Sequence, residues 1–361
     1  MRIGIAVTDP GDWTAIALND ALVKASARPV VFRLHDVTTS IQEHNRIYAG
    51  NTDLGSLDAV IVRDVGGAGG AGVSGSDAGS DVGIGGGGGG SVGVGGDGGG
   101  SVGVGGDGGG SVGVGGDGGG SAGVGGDAGS SVGLGDGGGG SEDMPYRLDV
   151  LCNLERSGLK VVNPPGAIRT AANKHMCSYL FREHGLPTPD TVLTSDMDVA
   201  LAAIRDWGRA VVKPIFGFKG MDIHCVVDDE HSIKLLSSVL DTRGVLYLQR
   251  FISNPGRDIR VFVVGGDVPS AIYRLAPPGS WINNLSRGGS HEICEVTGEI
   301  AGLAVEAAGA VGAVYAGVDL IEGEDGLQIL EVNGTPSIRG IYEACGVNVA
   351  QDIVKCVLNM V

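Results

Sequence analysis

Between Gly66 and Gly140 the sequence carries 42 of its 69 glycines, seven Asp and no Lys or Arg. A ten-residue unit, Gly-Gly-Gly-Ser-Val-Gly-Val-Gly-Gly-Asp, repeats through it, with Ser at positions 91, 101, 111, 121, 131 and 141. Ordering a residue costs about 1–2 kcal/mol of backbone entropy, and glycine loses the most. Burying a valine contributes only ~1.5–3 kcal/mol, so one or two per unit cannot offset ten ordered residues. Residues 66–142 are therefore expected to be a long disordered insertion in the loop after Arg63-Asp64-Val65. A calcium-binding glycine–aspartate roll is the alternative. Such rolls repeat every nine residues around a large aliphatic anchor, whereas the period here is ten.

Without this segment roughly 285 residues remain, enough for one large or two to three small domains with their own cores. The net charge is −17 overall and −10 outside the segment. No basic stripe is available to neutralise phosphates, which argues against nucleic acid as a partner. No apolar run reaches the length of a membrane span. Met1 to Val7 reads as a first strand and lacks the long apolar core of a signal peptide. Cys152, Cys177, Cys225, Cys294, Cys345 and Cys356 are scattered with no two-residue spacing. They indicate neither a zinc site nor a disulfide framework, and a reducing cytoplasm is the expected location.

Residues 1–65 alternate strand and helix patterns: strands at 3–7, 30–34 and 59–62, with a helix over 13–27. This βαβ rhythm implies a parallel sheet, with functional residues where strands end, near Asp9 and Arg63. Beyond the insertion, helices are expected over 147–159, 167–184, 199–207 and 297–314, and from 349 onward. Strands are expected at 161–162, 210–213, 223–227 and 245–250. Two strand pairs follow, 258–264 with 268–274 and 316–321 with 327–332. The fold class is mixed, α/β and α+β.

Three groups of residues suit chemistry. In the last strand pair, Asp319 sits among apolar residues, and Glu331 and Asn333 alternate with Leu330 and Val332. Three oxygen-bearing side chains on one face suit Mg²⁺ with phosphate oxygens and water, and they equally suit the solvated face of a hairpin. As clustered acids they are expected to repel one another, so that removing one leaves the fold intact. The second group is basic. Lys174 lies on the helix after Asn163-Pro164-Pro165, and Lys213 ends the apolar strand Ala210-Val211-Val212. An unpaired interior lysine is costly, which points to an anionic partner. Phe216-Gly217-Phe218-Lys219-Gly220 reads as a glycine-hinged flap or a plain turn, and no P-loop signature is present. The third group contains Asp258-Ile259-Arg260, Tyr273-Arg274, Asn283-Asn284 and Arg287-Gly288-Gly289. Its arginines suit stabilisation of a transferring phosphoryl group, or simply a surface.

Taken in order, these motifs resemble the ATP-grasp ligases, and within them the RimK-like glutamate ligases. The likeness is carried by Asn163-Pro164, Asn173-Lys174, Val212-Lys213-Pro214, Gln249-Arg250-Phe251-Ile252, Gly256-Arg257-Asp258-Ile259-Arg260, Asn283-Asn284, Gly317-Val318-Asp319 and Leu330-Glu331-Val332-Asn333. It extends to the branch that adds glutamate to a pterin coenzyme in methanogenic archaea. The resemblance implies a three-part ATP-grasp fold: 1–65 plus 143–165, then 166–245, then 246–361, with ATP between the last two. It implies that Lys174 and Lys213 bind phosphates, together with the flap residues Gly217, Lys219 and Gly220. Gln249, Arg250 and Phe251 would meet the adenine chiefly through backbone groups. Asp258 would lie at the ribose or nearby nucleotide atoms, and Asn283 and Asn284 beside the nucleotide. Asp319, Glu331 and Asn333 would hold two Mg²⁺ ions, for which Mn²⁺ can substitute, and Arg260 and Arg274 would face an acyl phosphate. The implied partners are ATP, L-glutamate and a carboxylate-bearing acceptor, in a chain that can self-associate. The acceptor is a small-molecule coenzyme or, alternatively, a deazaflavin coenzyme, a ribosomal-protein terminus or an amino-group carrier protein. Arg250 stands where many relatives carry Glu, and Gly334 where a small Ala or Ser is usual.

Overall fold

In a computed structural model, four sheets organise the chain, and residues 1–42, 45–66, 143–217, 221–281, 283 and 289–361 are described. Residues 67–142 of the glycine-rich segment expected to be disordered lie outside the described residues, as do Lys219, Gly220 and Asn284.

The first strand, β1 (Arg2–Val7), is fully buried along Ile3 to Val7, and α1 (Trp13–Lys24) follows it. Asp12 caps that helix by accepting from Ala15 N at 3.0 Å. β2 (Arg28–Arg33) returns parallel to β1. A small antiparallel sheet of β3 (Val37–Ser40), β4 (Arg46–Ala49) and β5 (Thr52–Asp53) follows. β6 (Ala59–Val62), α2 (Asp143–Arg156) and β7 (Lys160–Val162) complete an all-parallel sheet in the order β2-β1-β6-β7. Arg147 Nη1 donates to Val65 O at 3.0 Å, so the two flanks of the glycine-rich segment are neighbours.

The helix expected over 167–184 is two helices, α3 (Pro165–Ala172) and α4 (Lys174–Glu183). Asn173 breaks it by adopting an extended backbone and capping α4, accepting from Met176 N at 3.0 Å. An asparagine gains more as an N-cap than inside a helix. The next unit is a four-stranded antiparallel sheet, β10-β9-β11-β8, with two helices. In chain order these are β8 (Thr191–Thr194), α5 (Met197–Trp207), β9 (Ala210–Val212), β10 (His224–Val226), α6 (Glu230–Arg243) and β11 (Leu246–Arg250).

The site rests on a five-stranded antiparallel sheet. Its strands are β12 (Arg257–Val264), β13 (Asp267–Leu275), β14 (Ser290–Cys294), β15 (Tyr315–Gly323) and β16 (Gly326–Asn333), in the order β14-β13-β12-β15-β16. Alternation divides it into two faces. Ile259, Val261, Val263, Ala271, Val318 and Leu320 face α4 and α7 (Gly298–Ala310) in one apolar core. Phe262, Val264, Ile272 and Tyr315 face the other way. They pack with α8 (Arg339–Cys345), α9 (Val349–Leu358) and the α1 side of the parallel sheet. Further along on this second face the apolar residues give way to Arg260 and Arg274, two residues on from Phe262 and Ile272, and to Asp319, four on from Tyr315.

Candidate active site

The strand registers bring the acidic residues together. Asp319 lies opposite Arg260 on β12 and opposite Glu331 on β16, and Gly317 lies opposite Asn333. A register shift after Asp319 leaves Leu330 as an extra residue on β16. Such a bulge re-aims the residues beyond it, and here it puts Ile329 and Val332 into the α7 core. Gly317 gives Arg260 room to pass. A Cβ there would lie 3.0 Å from Pro336 and 3.1 Å from Arg260 Cδ, in the path of the guanidinium that reaches Asp319.

Asp319, 3% exposed, binds two guanidiniums. Arg260 approaches both of its oxygens through Nε and Nη2, and Arg274 Nη2 donates to Oδ2 at 2.8 Å. Arg274 also grips Asp258 bidentately, Nε at 2.7 Å and Nη2 at 2.8 Å. Burial works against the Arg274 charge, but Asp319 and Asp258 more than restore it and raise its pKa above the ordinary value. Among the described residues, Nη1 of Arg260 and of Arg274 carries no hydrogen bond and remains available.

Two lysines enter from other elements. Lys174, at the start of α4, sits 3.1 Å from Glu331 Oε2 and donates to Gly217 O at 2.8 Å. Burial alone would raise the Glu331 carboxyl, but Lys174, then Lys213 and Arg260, hold it well below the usual carboxylate range. Lys213, just past β9, is 8% exposed and donates to the neutral amide oxygen of Gln249 at 2.7 Å. With no carboxylate in hydrogen-bond contact among the described residues, burial dominates and pulls its pKa down to about 8. Among the described residues, four cations thus face Asp258, Asp319 and Glu331, an excess of one positive charge.

This gives a pH prediction. An anionic ligand restores the Lys213 proton, so nucleotide binding near pH 8 is expected to take up about half a proton. Affinity should fall as the pH rises above 8. For folding the sign is opposite: a depressed lysine pKa penalises the native state below about pH 8. That penalty fades between pH 8 and the unfolded lysine value of 10.5. Calorimetry of an ATP analogue in buffers of different ionisation heat measures the uptake. Equal heats at pH 8 would return Lys213 to a structural role.

The remaining sequence-derived residues are placed as follows. Gln249 uses its side chain on Lys213 and Thr191 Oγ1. The N–H groups of Arg250 and Phe251 donate to Asp190 O and Arg209 O, so contact with a ring from these two backbones would fall to their carbonyls. Their side chains line a cavity of about 580 Å³ with Arg182, Asp190, Arg209 and Glu324, apart from the charged cluster. Asn283 is buried, and its Oδ1 has no hydrogen-bond partner among the described residues. Asn333 donates to Gly317 O at 3.3 Å.

Other residues that frame the site were not given these roles from the sequence. Asn163, 0% exposed, spends its whole side chain joining the parallel sheet to the last strands. Its Nδ2 donates to Tyr315 O and Gly334 O, and its Oδ1 accepts from Val314 N and Tyr315 N. Tyr315 reaches Val62 O in return. Arg63 pairs bidentately with Asp12 and donates to Thr335 O at 3.4 Å, pinning the loop after Asn333. An isolated asparagine before proline, and an arginine at a strand end, were the available signals.

Two sheets from different parts of the chain, with lysines and carboxylates meeting between them, define an ATP-grasp protein. The comparisons agree. A model of the RimK-like ATP-grasp domain matches residues 171–357. The chain is 37% identical to the tetrahydromethanopterin:α-L-glutamate ligase of Methanosarcina acetivorans, covering 99% of each. It is 41% identical to the Methanocaldococcus jannaschii ligase of the same name, covering 61% of this chain and 77% of that one. Among solved structures, the ATP-grasp ligase PsnB complexed with a phosphomimetic variant of its minimal precursor, Mg and ADP superposes with a TM-score of 0.65. That match has 19% identity and covers 99% of this chain and 97% of PsnB. A RimK domain ATP-grasp protein from Sphaerobacter thermophilus gives 0.60 at 16% identity, covering 99% and 100%. The chain belongs to the RimK-like ATP-grasp family and is an ATP-dependent ligase. Among the described residues no helix is long and apolar enough to cross a membrane.

Proposed function

We propose that this protein joins L-glutamate to a carboxylate of tetrahydromethanopterin, with ADP and phosphate as the other products. The observation that carries this reading is Lys213: a buried cation bonded to an amide rather than a carboxylate, beside Asp319, Glu331 and Asn333. Such a lysine keeps its charge for an anionic ligand. The acceptor and the amino acid are taken from the relatives' names.

In this reading an acceptor carboxylate oxygen attacks the γ-phosphorus of ATP and expels ADP, leaving an acyl phosphate. The glutamate amine then attacks the acyl carbon, loses a proton, and inorganic phosphate departs. Lys174 and Lys213 hold the phosphates, and the open Nη1 donors of Arg260 and Arg274 face the transferring group. Asp258 holds Arg274 in place rather than the ribose, since Arg274 takes both of its oxygens. No enzyme nucleophile is needed. Cys177, the thiol beside this cluster, is buried and pushed up to about 12, with Glu331 adding to the effect.

Two carboxylates and an amide make an all-oxygen donor set that fits Mg²⁺ completed by phosphate oxygens and water. Asp319, Glu331 and Asn333 would hold two such ions, with Mn²⁺ as a substitute. Bound there, the metal would neutralise charge on the phosphates. To take part, Asp319 must turn an oxygen away from Arg260, and Glu331 must release Lys174, which hands that lysine to the nucleotide. Incubation with ATP, Mg²⁺, L-glutamate and tetrahydromethanopterin tests the function. One ADP per glutamyl product, seen by mass spectrometry, is the expected result. Release of ADP only with a deazaflavin, ribosomal-protein or carrier-protein acceptor would replace the acceptor named here.

A further inference from the structure

A carboxylate activated at Arg260, Arg274 and Asp319 brings the rest of its molecule with it, and one side of that position is walled by α8. We propose that Trp13 and Tyr342 form the wall that recognises the acceptor, taking a planar aromatic heterocycle joined by a spacer to the reacting carboxylate. This assignment rests on the ligase reading above.

Three observations converge on the pair. First, α8 lies on the same sheet face as the site. Ile338 and Ile341 pack with Phe262 and Ile272, and two residues further along those strands stand Arg260 and Arg274. Two strand residues span ~7 Å, so the helix borders the charged end of the face. Second, the parallel sheet reverses its order between β1 and β6, where doubly wound sheets bind ligands beyond the strand ends. Trp13 opens α1 at that crevice, directly after Asp12, the partner of Arg63. Third, the segment from Asn333 to Tyr342 connects the two places. Its Thr335 carbonyl is held by Arg63, and Ile338 N donates to Thr14 Oγ1 at 3.3 Å.

The rings themselves suit a third one. Their centroids are 5.1 Å apart with planes tilted by 43°, yet Tyr342 is 45% exposed. A core pair buries its area, whereas this pair keeps aromatic surface of Tyr342 in solvent. A flat heterocycle laid against it gains area burial and offset or edge contacts with both rings. Leucine supplies the bulk without the ring faces, and phenylalanine supplies both.

Steady-state kinetics with ATP, L-glutamate and tetrahydromethanopterin are the test. W13L and Y342L are expected to raise the acceptor KM about tenfold, with the ATP KM and kcat within twofold, and W13F and Y342F to restore it. An acceptor KM unchanged in the Leu variants, or one that rises only together with the ATP KM, overturns the assignment. Should a Leu variant fail to fold, fluorescence replaces it: acceptor-induced quenching in the wild type that is lost in W13F supports the wall, and quenching equal in both overturns it. If the wild-type protein forms no glutamyl product, the ligase reading falls. Equilibrium dialysis of tetrahydromethanopterin then decides the wall alone: binding lost in W13L and kept in W13F upholds it, and equal or absent binding sinks it.

Discussion

Glu331→Gln is expected to lower kcat by roughly 10²–10³-fold, the ~3–4 kcal/mol seen when a major electrostatic group is removed from a transition state. Gln keeps the shape of Glu331 and one acceptor oxygen but not the charge. In the free protein that charge is paired with Lys174 at 3.1 Å and sits within the field of Lys213 and Arg260. The sequence view of crowded acids suggests that removing one relieves repulsion. The structure reverses this, because among the described residues four cations, Lys213 included, face three carboxylates. The variant is therefore expected to lose about 1.5–3 kcal/mol of stability, the worth of a charged hydrogen bond. Its weakened hold on Lys174 should leave nucleotide affinity less affected than kcat. A variant that turns over within threefold of wild type, with an unchanged melting temperature, would remove Glu331 from the site.

The legible parts of this molecule were those in which one residue type does one job. Asp319 stood out because a carboxylate in an apolar strand needs a reason, and Lys213 for the same reason at the end of β9. The parallel N-terminal strands were readable because β1 and β6 are buried on both faces and lack alternation. Partnerships were not readable. Nothing in Asp258-Ile259-Arg260 says that Asp258 will bind Arg274 on the neighbouring strand while Arg260 crosses to Asp319. That is decided by the register of β12, β13 and β15. The clasp made by Asn163 joins residues 152 positions apart and has no local signature. Some misses were avoidable: α6 carries Asp229 as its N-cap and left-handed Gly244 as its C-cap, both ordinary helix punctuation. The strands β3 to β5 are short and half-exposed, so their pattern is weak.

Asp258→Asn is expected to be the most destabilising single change at the site. Asp258 is 6% exposed, and both of its oxygens accept from Arg274, which is itself 6% exposed. Asparagine keeps one acceptor but turns an NH₂ group toward a guanidinium that cannot give up its proton. Arg274 retains Asp319, yet that carboxylate then answers both guanidiniums alone, the buried Arg274 and the partly buried Arg260. Breaking a buried pair by removing one partner costs about 3–5 kcal/mol, which for a chain of this size lowers the melting temperature by on the order of 10 °C. Function should fail by a different route. With its second anchor gone, Arg274 competes with Arg260 for Asp319, and in the proposed reaction its Nη1 would no longer be held toward the transferring phosphate. The expected pattern is a depressed kcat that persists well below the new melting temperature, with the ATP KM changed less. Replacing the pair together, Asp258→Leu with Arg274→Met, is expected to recover stability but not turnover, because a matched apolar pair removes the desolvation cost of the ions. Thermal melts and kcat on the single and double variants separate the two effects. Recovery of turnover in the double variant would show that Arg274 only fills space.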